Sequence, residues 1–338
     1  MSDRAVTLAA ILETRTLLGD RVHHTPMLSS ETAGRVAGEA SGVRLKGGRL
    51  FLKAEHMQKT GSFKPRAALA RVQSMTADER SRGAITISAG NAGQAYAWAG
   101  REAGVPVTVV MPAGAVASKV AACRDYGAEV VLHGTHVGES LQRLEEIRRE
   151  RGLTLVHPYD QPEVLLGNGS CALEILEDLV DVDVVVLGVG GGGLLGGVTV
   201  ALKESRPDVR VYGVEPHGSE ALTRGLEAGE PVTVTPVSVA DGLGAPIVGR
   251  LALDVARRYL DGVVLVDDPT ILGGLRFALE RLKQVLEPAG AAALAAVLTG
   301  AIPLREGDRV CVILSGGNVA IERLGELLGA AVAIPPAR

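Results

Sequence analysis

The stretch QKTGSFKPRAA at residues 58–68 joins two segments of different apolar periodicity. The segment before it, RLFLKAEH at 49–56, is short and apolar, which is typical of a strand. The segment after it, AALARVQSM at 67–75, repeats its apolar residues at helical spacing. Lys64 therefore lies near a strand-to-helix junction, within a run of small and polar residues.

On either side of this junction the chain alternates strand-like and helix-like segments. Such alternation predicts an α/β fold with parallel sheets and right-handed crossovers. We expect two domains, each with an open, mostly parallel twisted sheet flanked by helices. The small domain should cover residues 73–157, and the large domain residues 1–72 plus 158–338. No C-terminal regulatory domain is expected.

Two local features can be predicted as well. The segment 42–56 should form a hairpin with Gly47 and Gly48 at its tip, because glycine suits tight turns. The segment PAGAAALAAVLTG at 288–300 consists almost entirely of small residues and should form a buried helix.

The composition excludes several classes of protein. Of the 338 residues, 46% are apolar and only 3% aromatic, so the core should be aliphatic. The net charge of −4, with acids and bases mixed, argues against a nucleic-acid surface. Cys123, Cys171 and Cys311 are far apart and show no metal spacing, which favours a reducing compartment such as the cytoplasm.

No membrane segment is expected either. The N-terminal residues carry charges where a signal peptide has an apolar core. The most hydrophobic window, residues 182–200, contains Asp183 and is interrupted by glycines. A strand, a turn and the start of a helix explain this window better than a membrane span.

Lys64 is a candidate for Schiff-base chemistry. A lysine that forms such a bond must lose its proton part of the time, and partial burial or a nearby cation lowers its pKa. The alternative is a solvated surface charge, and this stretch alone leaves both interpretations open.

A run of four glycines, at positions 190–193, follows the strand-like segment VDVVVLG and opens a helix. Backbone N–H groups without side chains around them can converge on an anion, and the helix N-terminus favours negative charge. We predict a phosphate-binding loop here. Tight packing of the helix on the strand is the alternative.

The same loop also fits a dinucleotide fingerprint. Gly188, Gly190 and Gly193 satisfy the pattern G-x-G-x-x-G, and Glu215 closes the next strand, where a ribose-binding carboxylate would lie. On local grounds an NAD-binding protein is therefore a second hypothesis.

Two further loops carry polar side chains. In SAGNAGQ at 88–94, Asn91 could orient a ring hydroxyl and Ser88 could bind a carboxylate, although a helix N-cap is the simpler interpretation. In LSGGN at 314–318, Ser315 should project at the carboxyl end of a central strand, where α/β sheets bind ligands. His157 is expected to be structural.

A lysine, an asparagine loop, a glycine loop and a late serine together indicate pyridoxal phosphate (PLP). On these motifs the chain resembles the fold-type II PLP enzymes, and within them the serine/threonine dehydratase and serine racemase group. The likeness runs from about residue 25 to 318, and EPAGA at 287–291 adds to it. The family's lysine motif is matched by Lys53, Glu55, Gln58, Thr60, Gly61, Ser62, Phe63, Lys64 and Arg66.

This resemblance implies a tryptophan synthase β-like fold and a role for each matched residue. Lys64 would bind the cofactor covalently and Phe63 would lie against its ring. Asn91 would bind the ring hydroxyl and Ser315 would face the ring nitrogen. The substrate would bind at Ser88, Ala89, Gly90 and Asn91, and the phosphate would bind at Gly190, Gly191, Gly192, Gly193 and Leu194.

The departures from the family pattern are informative. Ala92 replaces a histidine and Ala67 replaces a glycine that are common in dehydratases. Ala89 occupies the place where serine racemases have a proton-transferring serine, so racemisation should be weak. Glu215 and Ser219 match a cation site of some relatives, but Ala221 replaces a carboxylate there, so no metal is expected.

The resemblance implies β-elimination from an L-3-hydroxyamino acid, most simply L-threonine or L-serine, giving a 2-oxo acid and ammonia. Alternatives are a dehydratase of 3-hydroxyaspartate or another 3-hydroxyamino acid, and a β-replacement synthase. Sulfur-assimilating synthases favour Asn and Val where this chain has Gln58 and Phe63. The family also implies a homo-oligomer, dimer or tetramer, and the lack of a regulatory domain suggests amino-acid catabolism.

Overall fold

The structure is a computed structural model that describes residues 5–331 and 333–334. Its ten strands are β1 Met27–Ser30, β2 Leu50–Lys53, β3 Ala84–Ile87, β4 Val107–Met111, β5 Glu129–Leu132, β6 Thr154–Leu155, β7 Val184–Gly188, β8 Arg210–Pro216, β9 Gly262–Val266 and β10 Val310–Ile313, all within that described part.

The same described residues contain fourteen α-helices. These are α1 Leu8–Leu18, α2 Glu31–Ser41, α3 Lys64–Gln73, α4 Ala77–Arg82, α5 Asn91–Ala103, α6 Ala117–Asp125, α7 Val137–Arg151, α8 Pro162–Asp178, α9 Gly193–Ser205, α10 Ala221–Ala228, α11 Arg250–Tyr259, α12 Asp268–Phe277, α13 Pro288–Leu298 and α14 Ile321–Ala330. A π-helical turn, Ala278–Leu282, follows α12 directly.

The strands form two sheets. The six-stranded sheet has the order β1-β2-β10-β7-β8-β9, and every pair in it is parallel except β1 with β2. The four-stranded sheet has the order β5-β4-β3-β6 and is parallel throughout. Because β2, β10 and β7 are parallel neighbours, the loops that follow them meet at one edge of the large sheet.

The two sheets use separate parts of the chain. All strands of the small sheet lie between residues 84 and 155, and all strands of the large sheet lie outside this range. The division into a small domain at 73–157 and a large domain formed by the rest stays a prediction.

Strand β7 is buried on both faces. Val184 and Val186 pack into one apolar cluster with α13, while Val185 and Leu187 pack into another with α8 and α9. Parallel strands covered by helices have this near-continuous apolar character. All of α13 is buried, which confirms the buried helix predicted from its small residues.

The predicted hairpin over 42–56 is wrong. Strand β2 pairs instead with β1, and the helix α2 connects the two. Residues 44–46 bond to a distant turn, since Gly307 donates to the Arg44 carbonyl and Lys46 donates to the Asp308 carbonyl. Gly47 and Gly48 belong to a one-turn 3-10 helix at 46–48. The pairing of residues 44–46 with a turn far along the chain leaves no local signal in the sequence.

No helix of the described residues is long and apolar enough to cross a bilayer. The hydrophobic window at 182–200 forms β7, a glycine turn and the start of α9, which confirms the strand, turn and helix predicted for it. The three cysteines are free and buried.

Candidate active site

Lys64 is the first residue of α3 and lies at the end of a compact loop that follows β2. Pro65 fixes the start of the helix, where a missing N–H costs nothing. The loop is tied to the large sheet, because Phe63 N–H donates to the Ser315 carbonyl over 3.1 Å. The junction seen in the sequence therefore sits directly beside the carboxyl end of β10.

The Lys64 side chain is half-buried between Phe63 and the segment after β6. Its Nζ donates to the Pro158 carbonyl over 3.3 Å and lies 4.9 Å from the centre of the Phe63 ring. Burial lowers the pKa of the Lys64 amine to about 8, while the nearby Glu287 carboxylate acts in the opposite direction. A neutral amine is thus available close to neutral pH, as nucleophilic and basic lysines require.

A network of buried ion pairs stabilises the loop that ends at Lys64. Arg66, fully buried, pairs with Glu55 over 2.8 Å and with Glu174 over 2.6 Å. Lys53 pairs with the same Glu174 over 2.8 Å. The network joins β2, α3 and α8, so it fixes the helix that begins with Lys64.

The glycine loop lies between β7 and α9. Gly192 has a φ of +87°, in the left-handed region that favours glycine. A Cβ at Gly191 would overlap the ring of Tyr159. Within the described residues, none of the N–H groups from Gly190 to Leu194 donates a hydrogen bond to the protein. Five free donors at a helix N-terminus fit a phosphate group.

Glu215 is not available to bind a ribose. It is buried, and its carboxylate accepts hydrogen bonds from Leu222 N–H over 2.7 Å, and from Thr223 N–H over 2.9 Å and the Thr223 hydroxyl over 2.7 Å. Burial raises the pKa of this carboxyl group. Glu215 therefore caps α10, which removes the acidic residue on which the dinucleotide hypothesis depended.

Asn91 is the first residue of α5, and both ends of its amide are held. Its Nδ2 donates to Glu287 Oε1 over 2.6 Å, and its Oδ1 accepts from Asn318 Nδ2 over 2.8 Å. Asn318 Nδ2 also donates to the Thr60 carbonyl over 2.7 Å. These bonds bring the lysine loop, the asparagine loop and the loop after β10 into one constellation.

Ser315 lies two residues beyond β10 and is buried. Its hydroxyl has one long contact, 3.5 Å to the Ala289 carbonyl. The hydroxyl thus keeps hydrogen-bonding capacity for another partner, such as a ring nitrogen.

Ser88, Ala89 and Gly90 form the turn between β3 and α5 and are half-buried. The Ser88 hydroxyl accepts from Gly90 N–H over 3.1 Å, which shapes the turn. A cavity of about 710 Å³ lies between the small-sheet helices and the loops of the large sheet. Its polar lining includes Gln94, Lys119, Asp241, Glu287 and Asn318.

The geometry can now be compared with known proteins. A model of the family described as pyridoxal-phosphate dependent enzyme matches residues 21–316. The chain belongs to this family. The predicted family, fold class and PLP cofactor are thereby confirmed.

Individual relatives resemble this PLP-dependent enzyme along almost its whole length. The catabolic L-threonine dehydratase TdcB of Escherichia coli strain K12 is 38% identical over 97% of this chain and 97% of its own. The L-threo-3-hydroxyaspartate ammonia-lyase of a Pseudomonas species is 37% identical over 83% of this chain and 88% of its own. The structure of maize serine racemase has a TM-score of 0.89 and 31% identity, covering 96% and 97% of the two chains.

The residues of this PLP-dependent enzyme fit the cofactor. The unbonded N–H groups from Gly190 to Leu194 suit its phosphate, and the half-buried Lys64 amine suits its aldehyde. The under-used hydroxyl of Ser315 suits its ring nitrogen.

The Glu215 carboxylate is already used to cap α10, and we therefore expect that divalent cations will not stabilise this PLP-dependent enzyme. Ser219 turns its hydroxyl to the Leu243 carbonyl over 3.0 Å, and the described residues hold no metal-binding group of three or more His, Cys, Asp or Glu residues. We expect millimolar Mg²⁺ or Ca²⁺ to change the melting temperature by less than about 1 °C, because a site without enough oxygen ligands gains no binding energy. Addition of a chelator should likewise leave the melting temperature unchanged. A rise of several degrees with Ca²⁺ would contradict this view of Glu215.

Three residues of the site were not singled out from the sequence. Glu287 and Asn318 were seen only as members of the EPAGA and LSGGN motifs, and their contact with Asn91 is non-local. Tyr159 lies against Gly191, four positions beyond β6. His157 accepts from Asp160 N–H over 2.9 Å through its Nδ1, which gives it a local structural contact. The available sequence signal for Tyr159 was the run of glycines at 190–193, because residues without side chains leave room for an aromatic neighbour.

Proposed function

We propose that this protein is a PLP-dependent ammonia-lyase that dehydrates and deaminates L-threonine, L-serine or both, releasing a 2-oxo acid and ammonia. The observation that carries the proposal is the position of the half-buried Lys64 amine, which donates to the carbonyl of Pro158, the residue before the Tyr159 that lies against Gly191. The full-length likeness to a catabolic threonine dehydratase supports the substrate class.

Each residue has one task in this scheme. PLP, when bound, supplies an electron sink for the substrate's α-carbon. The neutral Lys64 amine accepts the α-proton as general base. The N–H groups of the glycine loop hold the phosphate, Asn91 orients the ring and Ser315 offers a neutral partner to the ring nitrogen. The turn at 88–90 binds the substrate carboxylate at the start of α5, with the Ala89 N–H as its donor, because the Ser88 and Gly90 N–H groups already bond within the protein.

Charge favours a neutral substrate side chain. Lys119 lines the cavity and would be the natural partner for the second carboxylate of 3-hydroxyaspartate. However, Asp241 already pairs with Lys119 over 3.2 Å, so that cation is largely neutralised. 3-Hydroxyaspartate is therefore the second candidate, behind threonine and serine.

The substrate class is tested with the PLP-loaded protein and a panel of L-threonine, L-serine, L-threo-3-hydroxyaspartate and D-serine. Oxo acid is measured by its hydrazone or by coupled reduction. We expect turnover of the first two at higher kcat/KM than of 3-hydroxyaspartate. Faster turnover of 3-hydroxyaspartate would reverse the ranking, and a thioether product on addition of thiol, without oxo acid, would favour the β-replacement synthase.

Ala89 predicts a low racemase activity that a single substitution should raise. Alanine has no group that can deliver a proton to the substrate's α-carbon from the side opposite Lys64. We expect Ala89→Ser to increase D-serine formation from L-serine by at least about tenfold, since a positioned proton donor contributes about 10²–10⁴-fold. Chiral chromatography of the reaction mixture measures this directly. Ala92→Ser is the matched control. Ala92 is buried and lies three residues after Ala89, and its substitution should leave D-serine formation at the wild-type level.

The proposed assembly is a homo-oligomer, dimer or tetramer. Met57, Val285 and Ile321 are exposed apolar side chains that a subunit contact would cover. Light scattering after size exclusion tests the assembly, and a monomer at micromolar concentration would exclude it. The cytoplasm is the proposed location, and three buried free thiols agree with a reducing compartment.

A further inference from the structure

Glu287 ends a hydrogen-bond relay that runs through the site. The relay consists of Asn318, Asn91 and Glu287, and it begins where Asn318 Nδ2 donates both its hydrogens, to the Thr60 carbonyl and to Asn91 Oδ1. Asn91 Nδ2 then donates to Glu287 Oε1 over 2.6 Å. An amide nitrogen has two N–H donors. One donor of Asn91 is therefore fixed by Glu287, which leaves the other to point at a ligand.

The Glu287 carboxyl group is held in place by the loop after β10. Glu287 is the N-cap residue of α13 and is only 4% exposed. Its N–H donates to the Gly316 carbonyl over 3.1 Å. A Cβ at position 316 would overlap Glu287 Oε1, so glycine at this position lets the Glu287 carboxyl group lie against the loop. Glu287 also lines the cavity of about 710 Å³.

The charged groups around Glu287 come from three other elements. Asp241 lies in the 3-10 turn before α11, Lys119 lies on α6 and Lys64 begins α3. Burial and the Asp241 charge raise the pKa of Glu287 to about 7, while Lys119, the Asn91 hydrogen bond and Lys64 act against them. Conversely, the Glu287 charge raises the pKa of Lys64. The ionisations of Glu287 and Lys64 are thus linked.

We propose that Glu287 is a positioning residue of the proposed elimination: it accepts one hydrogen of the Asn91 amide nitrogen and thereby orients the other toward the cofactor. The proposal rests on the proposed function only in placing PLP beside Asn91. The role needs a hydrogen-bond acceptor at position 287 and does not need a negative charge.

Two substitutions test this role. Glu287→Gln keeps an amide oxygen that can accept from Asn91. Glu287→Ala removes the acceptor. The measurement is PLP binding to the cofactor-free protein, followed by absorbance, with the dissociation constant determined for each variant.

The PLP dissociation constant should rise about tenfold in Glu287→Ala, because the Asn91 amide loses the acceptor that orients it. In Glu287→Gln the dissociation constant should stay within about threefold of wild type, since the acceptor is retained.

Glu280→Gln is the matched control. Glu280 lies in the π-helical turn, is half exposed and pairs with Arg276 at the surface. It should bind PLP with the wild-type dissociation constant. Wild-type affinity in Glu287→Ala, or a loss of affinity in Glu287→Ala that Glu287→Gln does not restore, would overturn the orienting role. The readout does not need turnover, so normal PLP binding without oxo acid release would fault the proposed function and not this inference.

Discussion

Replacement of Lys64 by alanine is expected to reduce L-threonine turnover by about 10³-fold or more, because it removes both the covalent anchor of PLP and the general base. The half-buried amine, with its pKa lowered to about 8, is suited to both tasks in this site. The measurement is 2-oxobutanoate release by the PLP-incubated variant, with the visible spectrum recorded after desalting. The cofactor's visible band should be lost along with turnover.

Lys59→Ala is the matched control for this result. Lys59 lies five positions earlier in the same loop and is also half-buried, so its loss tests whether any lysine in the loop suffices. We expect its turnover to stay within about threefold of wild type, as for a substitution away from the reacting atoms. Substantial turnover by Lys64→Ala, with the PLP band retained, would contradict the assignment of Lys64.

Arg66→Ala should be the most destabilising single substitution among the charged residues of the site. It would leave Glu55, fully buried, without its cation, and Glu174 with Lys53 as its remaining one. Breaking a buried ion pair by removing one partner costs about 3–5 kcal/mol. Urea unfolding, followed by circular dichroism, should show a loss of this size in the free energy of unfolding.

Arg143→Ala provides the comparison with an exposed ion pair. Arg143 pairs with Glu146 over 2.7 Å on the surface of α7. Exposed pairs contribute at most about 1 kcal/mol, so this variant should unfold close to the wild-type urea concentration. Equal losses in the two variants would mean that the network beneath Lys64 contributes no more than a surface pair.

The elements of this fold that the sequence predicted are those with local signals. The glycine run at 190–193, the small residues of α13 and the alternation around β3 and β4 each carry their pattern within about twenty residues. The predicted hairpin over 42–56 does not form, because β2 pairs with β1, which lies on the other side of α2 in the chain. In addition, residues 44–46 bond to the turn at 307–308. No local pattern contains such a pairing.

The site divides along the same line. Lys64, Asn91 and Ser315 were predicted as site residues from short motifs, and the parallel order of β2, β10 and β7 explains why the loops that carry Lys64 and Ser315 meet. Glu287 and Tyr159 were not assigned a role, because their partners Asn91 and Gly191 are distant in sequence. Glu215 illustrates the reverse case, since its spacing fitted a ribose site while its hydrogen bonds cap α10.

The most direct test of the central claim is the product balance of the PLP-loaded wild-type protein acting on L-threonine, followed by NMR with a parallel ammonia assay. The elimination scheme predicts 2-oxobutanoate and ammonia in equal amounts, each matching the threonine consumed. Threonine that persists unchanged beside a protein with its PLP band intact, or that is consumed without release of ammonia, would contradict it.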